Sequence, residues 1–414
     1  MMKNPAKPLG EDFVTNEMLS PQAYNSMGPV AHDIDSSYGF LRFFHDQCIP
    51  YVTFHASKKG THIWRTVFPK YFASSNLVRQ ATYAMACLNL WPMMNLPKLL
   101  ESDNNECRFK IAPSKASHTT NQFSHVFDNL AVFENSRQSI FSITTSYFIS
   151  TLQSSRKLTA DGQQRQDLTY DDLAQIYFSG YLIFGYAGIH PHCVLPLIEH
   201  DTENPVDFIG FFSSMRHVFT SSSPGLREMI IHKLVEHDFL TPTSTSEKIG
   251  FVEVLRYQLS RYHFANATFS EIDARMCGEH ETLKNCLQLL ECCFLSSLKE
   301  GHPTPFFKFL SLLEDDFIEL ARARNYFALR VLFTFSCICI YCQFYLSFNE
   351  NVWAQYVGSF VQNYSPLCDS DAALYDYVIT KQTSADPNRF THEMRALNRL
   401  SFVFGGMEDS FVIR

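Results

Sequence analysis

Apolar residues recur along most of the chain at helical spacing. Leu77, Val78, Ala81, Met85 and Leu88 fall one, three, four and three residues apart, a stripe down one helix face. Trp91-Pro92 closes this helix, because the residue before a proline avoids helical backbone angles. Leu173 to Ala187 is almost wholly apolar and is preceded by Thr169 and Asp171, both suited to cap a helix. His190-Pro191-His192 ends it. Asn204-Pro205 then predicts a fresh start, with Asn at the cap and Pro in the first turn. Phe208, Phe211, Phe212, Met215 and Phe219 line one side of that helix, and Ser213, Ser214, Arg216 and His217 the other.

Further helices are predicted at 228–239, 247–264, around Leu283, Leu287, Leu290, Phe294 and Leu298, at 352–362 and at 371–379. Pro303 and Pro305 introduce a segment over 306–313, and 315–348 supplies one or two long helices. Residues 1–36 read as a polar, proline-containing tail or linker remnant. Residues 101–121 and 154–169 read as polar interruptions, and the Phe-containing C-terminus as a tail. No strand-turn-strand alternation and no fixed-period repeat is visible. The predicted fold class is all-α, a single large multi-helix domain of about a dozen helices over 37–414.

One run needs a second reading. Val331 to Phe348 contains no charged residue over 18 positions, the length at which a membrane span enters consideration. Thr334, Ser336, Gln343 and Ser347 interrupt it, and Arg330 borders it. A helix buried on all sides of a large α-domain has the same pattern, and that reading is preferred.

Composition narrows the function classes. The chain has 414 residues, 46% of them apolar, which excludes global disorder. Charged residues make up 18%, below the roughly 25% of ordinary globular chains, so much of the chain is expected to be buried or covered. A net charge of −8 argues against broad binding to phosphate backbones. Twelve cysteines without framework spacing read as reduced, buried thiols of a nuclear or cytosolic protein, and the N-terminus shows no apolar signal segment.

Catalytic and metal-binding chemistry needs particular residue types at particular spacings. There is no phosphate-cradling Gly loop and no nucleophile elbow. His232, Glu236 and His237 match neither zinc-protease spacing. Cys339 and Cys342 have half-site spacing for zinc but no second pair, and His190 and His192 likewise stand alone. No enzyme activity, metal or cofactor is therefore expected.

Three stretches carry a resemblance. Asn204 to Phe219 resembles a P-x-D-F-x-x-L-x-x-x-R-x-V helix of fungal zinc-cluster transcription regulators, matched here by Pro205, Asp207, Phe208, Arg216 and Val218. Phe309 to Leu332 is similar to that family's P-x-x-F-x-x-L-x-x-x-x-P-x-A-L-x-I-L stretch, with Asn325 in place of the usual proline. Trp353 keeps one of the two tryptophans that usually follow. A weaker third match runs through Phe43 to Asp46, Ile63 to Val67 and Leu77 to Leu90. The subgroup it looks most like is the sterol uptake control regulators of yeasts.

The resemblance implies an all-helical regulatory domain that senses a sterol-like ligand, dimerises and acts in the nucleus, with the cytoplasm as a second location. The family's cluster of six cysteines has no counterpart here, so direct DNA contact by this chain is not expected, while coactivators are candidate partners. Apolarity and helix position nominate Phe208, Phe211, Met215, Phe335, Cys339, Cys342 and Trp353 as ligand-lining residues. The alternative is a ligand-free helical interaction scaffold in which all seven are ordinary core.

Overall fold

The computed structural model describes residues 41, 44–49, 58–90, 140–165, 168–190, 195–200, 202, 205–234, 248–266, 274–341, 351–380 and 390–404. The tail 1–36, the loop 101–121, Cys342 and residues 342–348 lie outside these. The fold is all-α, with no strand among the described residues. Thirteen of its helices have seven residues or more. They are α1 (Phe68–Ser74), α2 (Asn76–Leu90), α3 (Ile140–Arg165), α4 (Tyr170–Ile189), α5 (Phe208–Ser221), α6 (Pro224–Leu234) and α7 (Gly250–Asn266). The series continues with α8 (Ala274–Glu300), α9 (Asp315–Arg322), α10 (Tyr326–Tyr341), α11 (Val352–Tyr364), α12 (Asp369–Thr380) and α13 (Phe390–Phe404).

Backbone contacts divide the chain into two compact units. The first takes residues up to Tyr186 together with Ser222–Glu236, and the second takes Ala187–Ser221 and everything from His237 onward.

Ring contacts organise the first unit. Trp64, in a π-helical turn (Ile63–Val67), meets Phe68 at 5.0 Å, Phe178 at 5.3 Å and Tyr181 at 5.5 Å between centroids. Tilted and edge-on geometries of this kind suit the aromatic quadrupole. Helix α2 packs along α3, where Tyr83 and Tyr147 approach to 5.3 Å. Gly185 lets α4 come close to α2, since a Cβ there would lie 3.0 Å from Met85 Cε. Arg79 Nη1 donates to the carbonyls of Phe72 and Ala73 and so satisfies the end of α1. Thr169 opens α4 with reciprocal bonds to Asp172, a capping box.

The second unit centres on α10. Every residue from Phe327 to Cys339 is buried. Over its described part, 315–341, the long predicted segment is broken into two helices at an angle of 104°. Arg324 adopts φ 60° and the amide of Asn325 donates to the Leu320 carbonyl, which stops α9. The Asn325 side chain then accepts from the amides of Phe327 and Ala328 and starts α10. Among the described residues no single helix is long and apolar enough to cross a membrane; α9 and α10 pass such a test only as this bent pair.

Several expectations are corrected. The polar stretch 154–165 is helix, the second half of α3. It lacks proline, and Arg156, Lys157, Leu158, Ala160, Gln163, Gln164 and Arg165 outweigh its one Gly162, so it propagates a helix already nucleated by the apolar half. Helix α5 begins at Phe208, capped by Asp207, and Pro205 precedes it rather than opening its first turn. The 306–313 segment is two short turns, Thr304–Phe307 and Phe309–Leu312. The presumed C-terminal tail includes α13, whose Phe390, Met394 and Leu397 are buried at helical spacing.

Candidate functional site

The second unit holds the residues singled out by sequence. Asp207, whose side chain is fully buried, accepts from the amides of Gly210 and Glu199 and pairs with Arg322 Nη2 at 3.3 Å. Gly210 allows this close approach: a Cβ would sit 2.8 Å from Asp207 Oδ1 and 3.0 Å from Arg322 Nη2, so the pair would have to shift. One further pair joins the same helices. Arg216 on α5 binds Asp315 at the start of α9, and His217 Nε2 lies 3.4 Å from the other carboxylate oxygen. Asp207 and Arg216, two matched residues of the first motif, therefore hold the second motif.

Above this clamp lies an aromatic cluster. Phe208 and Phe335 each meet Trp353 edge-on, at 5.4 and 5.6 Å. Phe306 and Phe309 each approach Phe335 to 4.9 Å. Three of the seven nominated residues, Phe208, Phe335 and Trp353, are thus brought together and completely buried. Cys339 is buried one turn beyond Phe335 on α10. Phe211 and Met215 are half-buried on α5, where Phe211 stacks edge-on with Phe212 rather than with the cluster. The remaining nominee, Cys342, is not described.

A polar centre that sequence reasoning missed sits on another face of α10. Arg330 is fully buried and bidentate to Asp371 of α12, Nε to Oδ2 at 2.6 Å and Nη2 to Oδ1 at 2.8 Å. Nη2 also donates to Cys368 Sγ at 3.0 Å and to Ser370 Oγ at 3.1 Å. Burial opposes the guanidinium charge, and the carboxylate more than offsets it, so the pKa of Arg330 rises above its ordinary value. Burial likewise pushes the Cys368 thiol up to about 11 and the Tyr326 hydroxyl up to about 12. A signal for Arg330 itself was present in sequence, since it directly abuts the uncharged run Val331–Phe348.

Beside the pair is a cavity of about 30 Å³, lined by residues of α7, α10, α12 and α13. None of the seven nominated residues lines it.

The chemistry of the other candidates is quiet. Burial raises the thiols of Cys286, Cys293 and Cys337 well above their usual value, which keeps them protonated and poorly nucleophilic. Among the described residues no group of three or more His, Cys, Asp or Glu is placed to hold a metal ion. His190 is buried, whereas Pro191, His192, Glu236 and His237 lie outside the described residues.

No protein-family model, no curated protein and no solved structure matches the chain. The resemblance to zinc-cluster regulators accordingly rests on the motif residues themselves.

Proposed function

We propose that the chain is a non-catalytic regulatory module of the kind found in fungal zinc-cluster regulators of RNA polymerase II transcription, sensing a sterol-like ligand and acting as a homodimer in the nucleus. The observation that carries this reading is the clamp. Asp207 with Arg322, and Arg216 with Asp315, tie together the two stretches that most resemble that family. Trp353, the retained tryptophan, packs on Phe208 from the first stretch and also meets Phe335, just beyond the second. Residues spaced far apart in sequence thus serve one local arrangement. An apolar ligand parting this aromatic cluster would gain roughly 0.8 kcal/mol per buried methylene, set against the cost of association.

A ligand-free interaction scaffold is the second reading. It is favoured by the closure of the same cluster. A Cβ at Gly188 would already be 3.5 Å from Phe208 and 3.9 Å from Trp353. Native mass spectrometry of the purified chain, with extraction of co-purifying lipid and titration of ergosterol-type sterols, separates the two. The sensor reading expects a stoichiometric sterol adduct that is lost in Phe335→Ala. A bare dimer that takes up no sterol overturns the sensor reading and leaves the scaffold.

A further inference from the structure

The cavity beside Arg330 has a built polarity. Its lining includes residues that are almost completely buried, the apolar Phe251, Leu255 and Leu397 and the polar Thr334 and Arg330–Asp371 pair. The lining also contains Val254, Leu374, Tyr377 and Ser370, none of them fully buried, and these residues mark the mouth. A volume of about 30 Å³ exceeds the roughly 10–15 Å³ that one water needs. It admits a small polar head and the first carbons of a chain, with the remainder lying across the mouth.

Charge decides the head. Arg330 is neutralised at bonding distance by Asp371. A carboxylate entering here would meet Asp371, and an ammonium would meet Arg330, each taken out of water without a free counter-charge. A hydroxyl faces no such conflict and can both donate and accept. A buried ion pair is also weak evidence for stability in itself, because apolar replacement is often no worse. A role in presenting polar atoms to a ligand gives it a reason to be there.

We propose that this cavity is the head end of a binding site for a neutral aliphatic alcohol. The site is separate from the aromatic cluster of the preceding section and does not depend on that reading. The test is calorimetric titration of the full chain with a series of primary alcohols from ethanol to hexanol, alongside hexanoate and hexylamine. Saturable binding is expected for the alcohols, tightening about fourfold per methylene until the chain leaves the mouth. Hexanoate and hexylamine should bind at least about tenfold more weakly. Leu374→Phe, at the half-buried mouth, should block the site without unfolding the chain. Thr334→Val should weaken hexanol about tenfold while keeping the side-chain shape. Absence of saturable alcohol binding, equal binding of hexanoate, or unchanged hexanol binding in Leu374→Phe would each overturn the proposal. Sterol uptake that persists in Leu374→Phe belongs to the aromatic cluster, so the two sites fail or succeed separately.

Discussion

The two units reach a packed core by different means. In the first, Trp64, Phe68, Phe178 and their neighbours meet ring to ring, Arg79 is buried against the backbone carbonyls of Phe72 and Ala73, and the carboxylate tie is peripheral: Tyr71 donates to the exposed Asp171 at 2.8 Å. In the second, comparable ring clusters are crossed by ion pairs, Arg330 with Asp371 buried on both sides and the half-exposed Arg322 with the buried Asp207. Ring packing is tolerant, because apolar contact has little directional demand. A buried ion pair is demanding, because losing one partner strands the other in a medium that solvates it poorly. The first unit should therefore forgive conservative change, and the second should not.

The largest effect is expected from Asp371→Asn. It keeps the shape, removes the counter-charge of Arg330, and should cost about 3–5 kcal/mol in the second unit. The double change Arg330→Met with Asp371→Leu should recover most of that loss, since neither charge is then buried. Urea titration read by hydrogen exchange, with peptides from each unit followed separately, measures both. Next in size is Trp64→Phe in the first unit, expected to cost about 2 kcal/mol through lost ring contact. If Trp64→Phe proved costlier than Asp371→Asn, the contrast between the units would be wrong.

Asn325→Pro restores the residue usual in the resembling family and should still destabilise, by about 1–2 kcal/mol. Proline lacks the amide that bonds Leu320 and the side chain that caps α10. The same exchange experiment would show it as faster exchange in the first turn of α10. The smallest effect concerns pH. The hydrogen bond from Tyr71 is the main cause holding the Asp171 carboxyl below its ordinary value, with Lys70 assisting. A folded pKa below the unfolded one means the tie stabilises fully above about pH 4 and is lost as pH falls through the folded value. Tyr71→Phe should flatten the acid limb of the first unit's stability profile, while leaving the second unit's unchanged.

Helix content was largely legible in the sequence because burial imposes a regular stripe. The Leu77–Leu88 spacing marks α2, and the Leu283–Leu298 spacing marks α8. Where amphipathic pattern and polarity compete, polarity misleads: the end of α3 carries no apolar stripe yet remains helical. Helix α13 shows the opposite error, since Phe390, Met394 and Leu397 already had the right spacing. Caps were half legible. Thr169 was foreseen, whereas Asn204 lies outside the described residues and Asp207, which also meets Arg322, caps α5. The candidate site was least legible. Apolar type cannot distinguish a ring in the cluster, such as Phe335, from one on a half-buried flank, such as Phe211. The pairing of Arg330 with Asp371 depends on two helices meeting, which spacing along either one does not encode.

The most direct measurement is a transcription assay in yeast with the chain fused to an unrelated DNA-binding domain, read from a reporter before and after sterol depletion. The account predicts reporter output that changes on depletion and loses that response in Asp207→Ala, where the clamp between the two motif stretches is broken. Output equal to that of the DNA-binding domain alone, under both conditions, would contradict it.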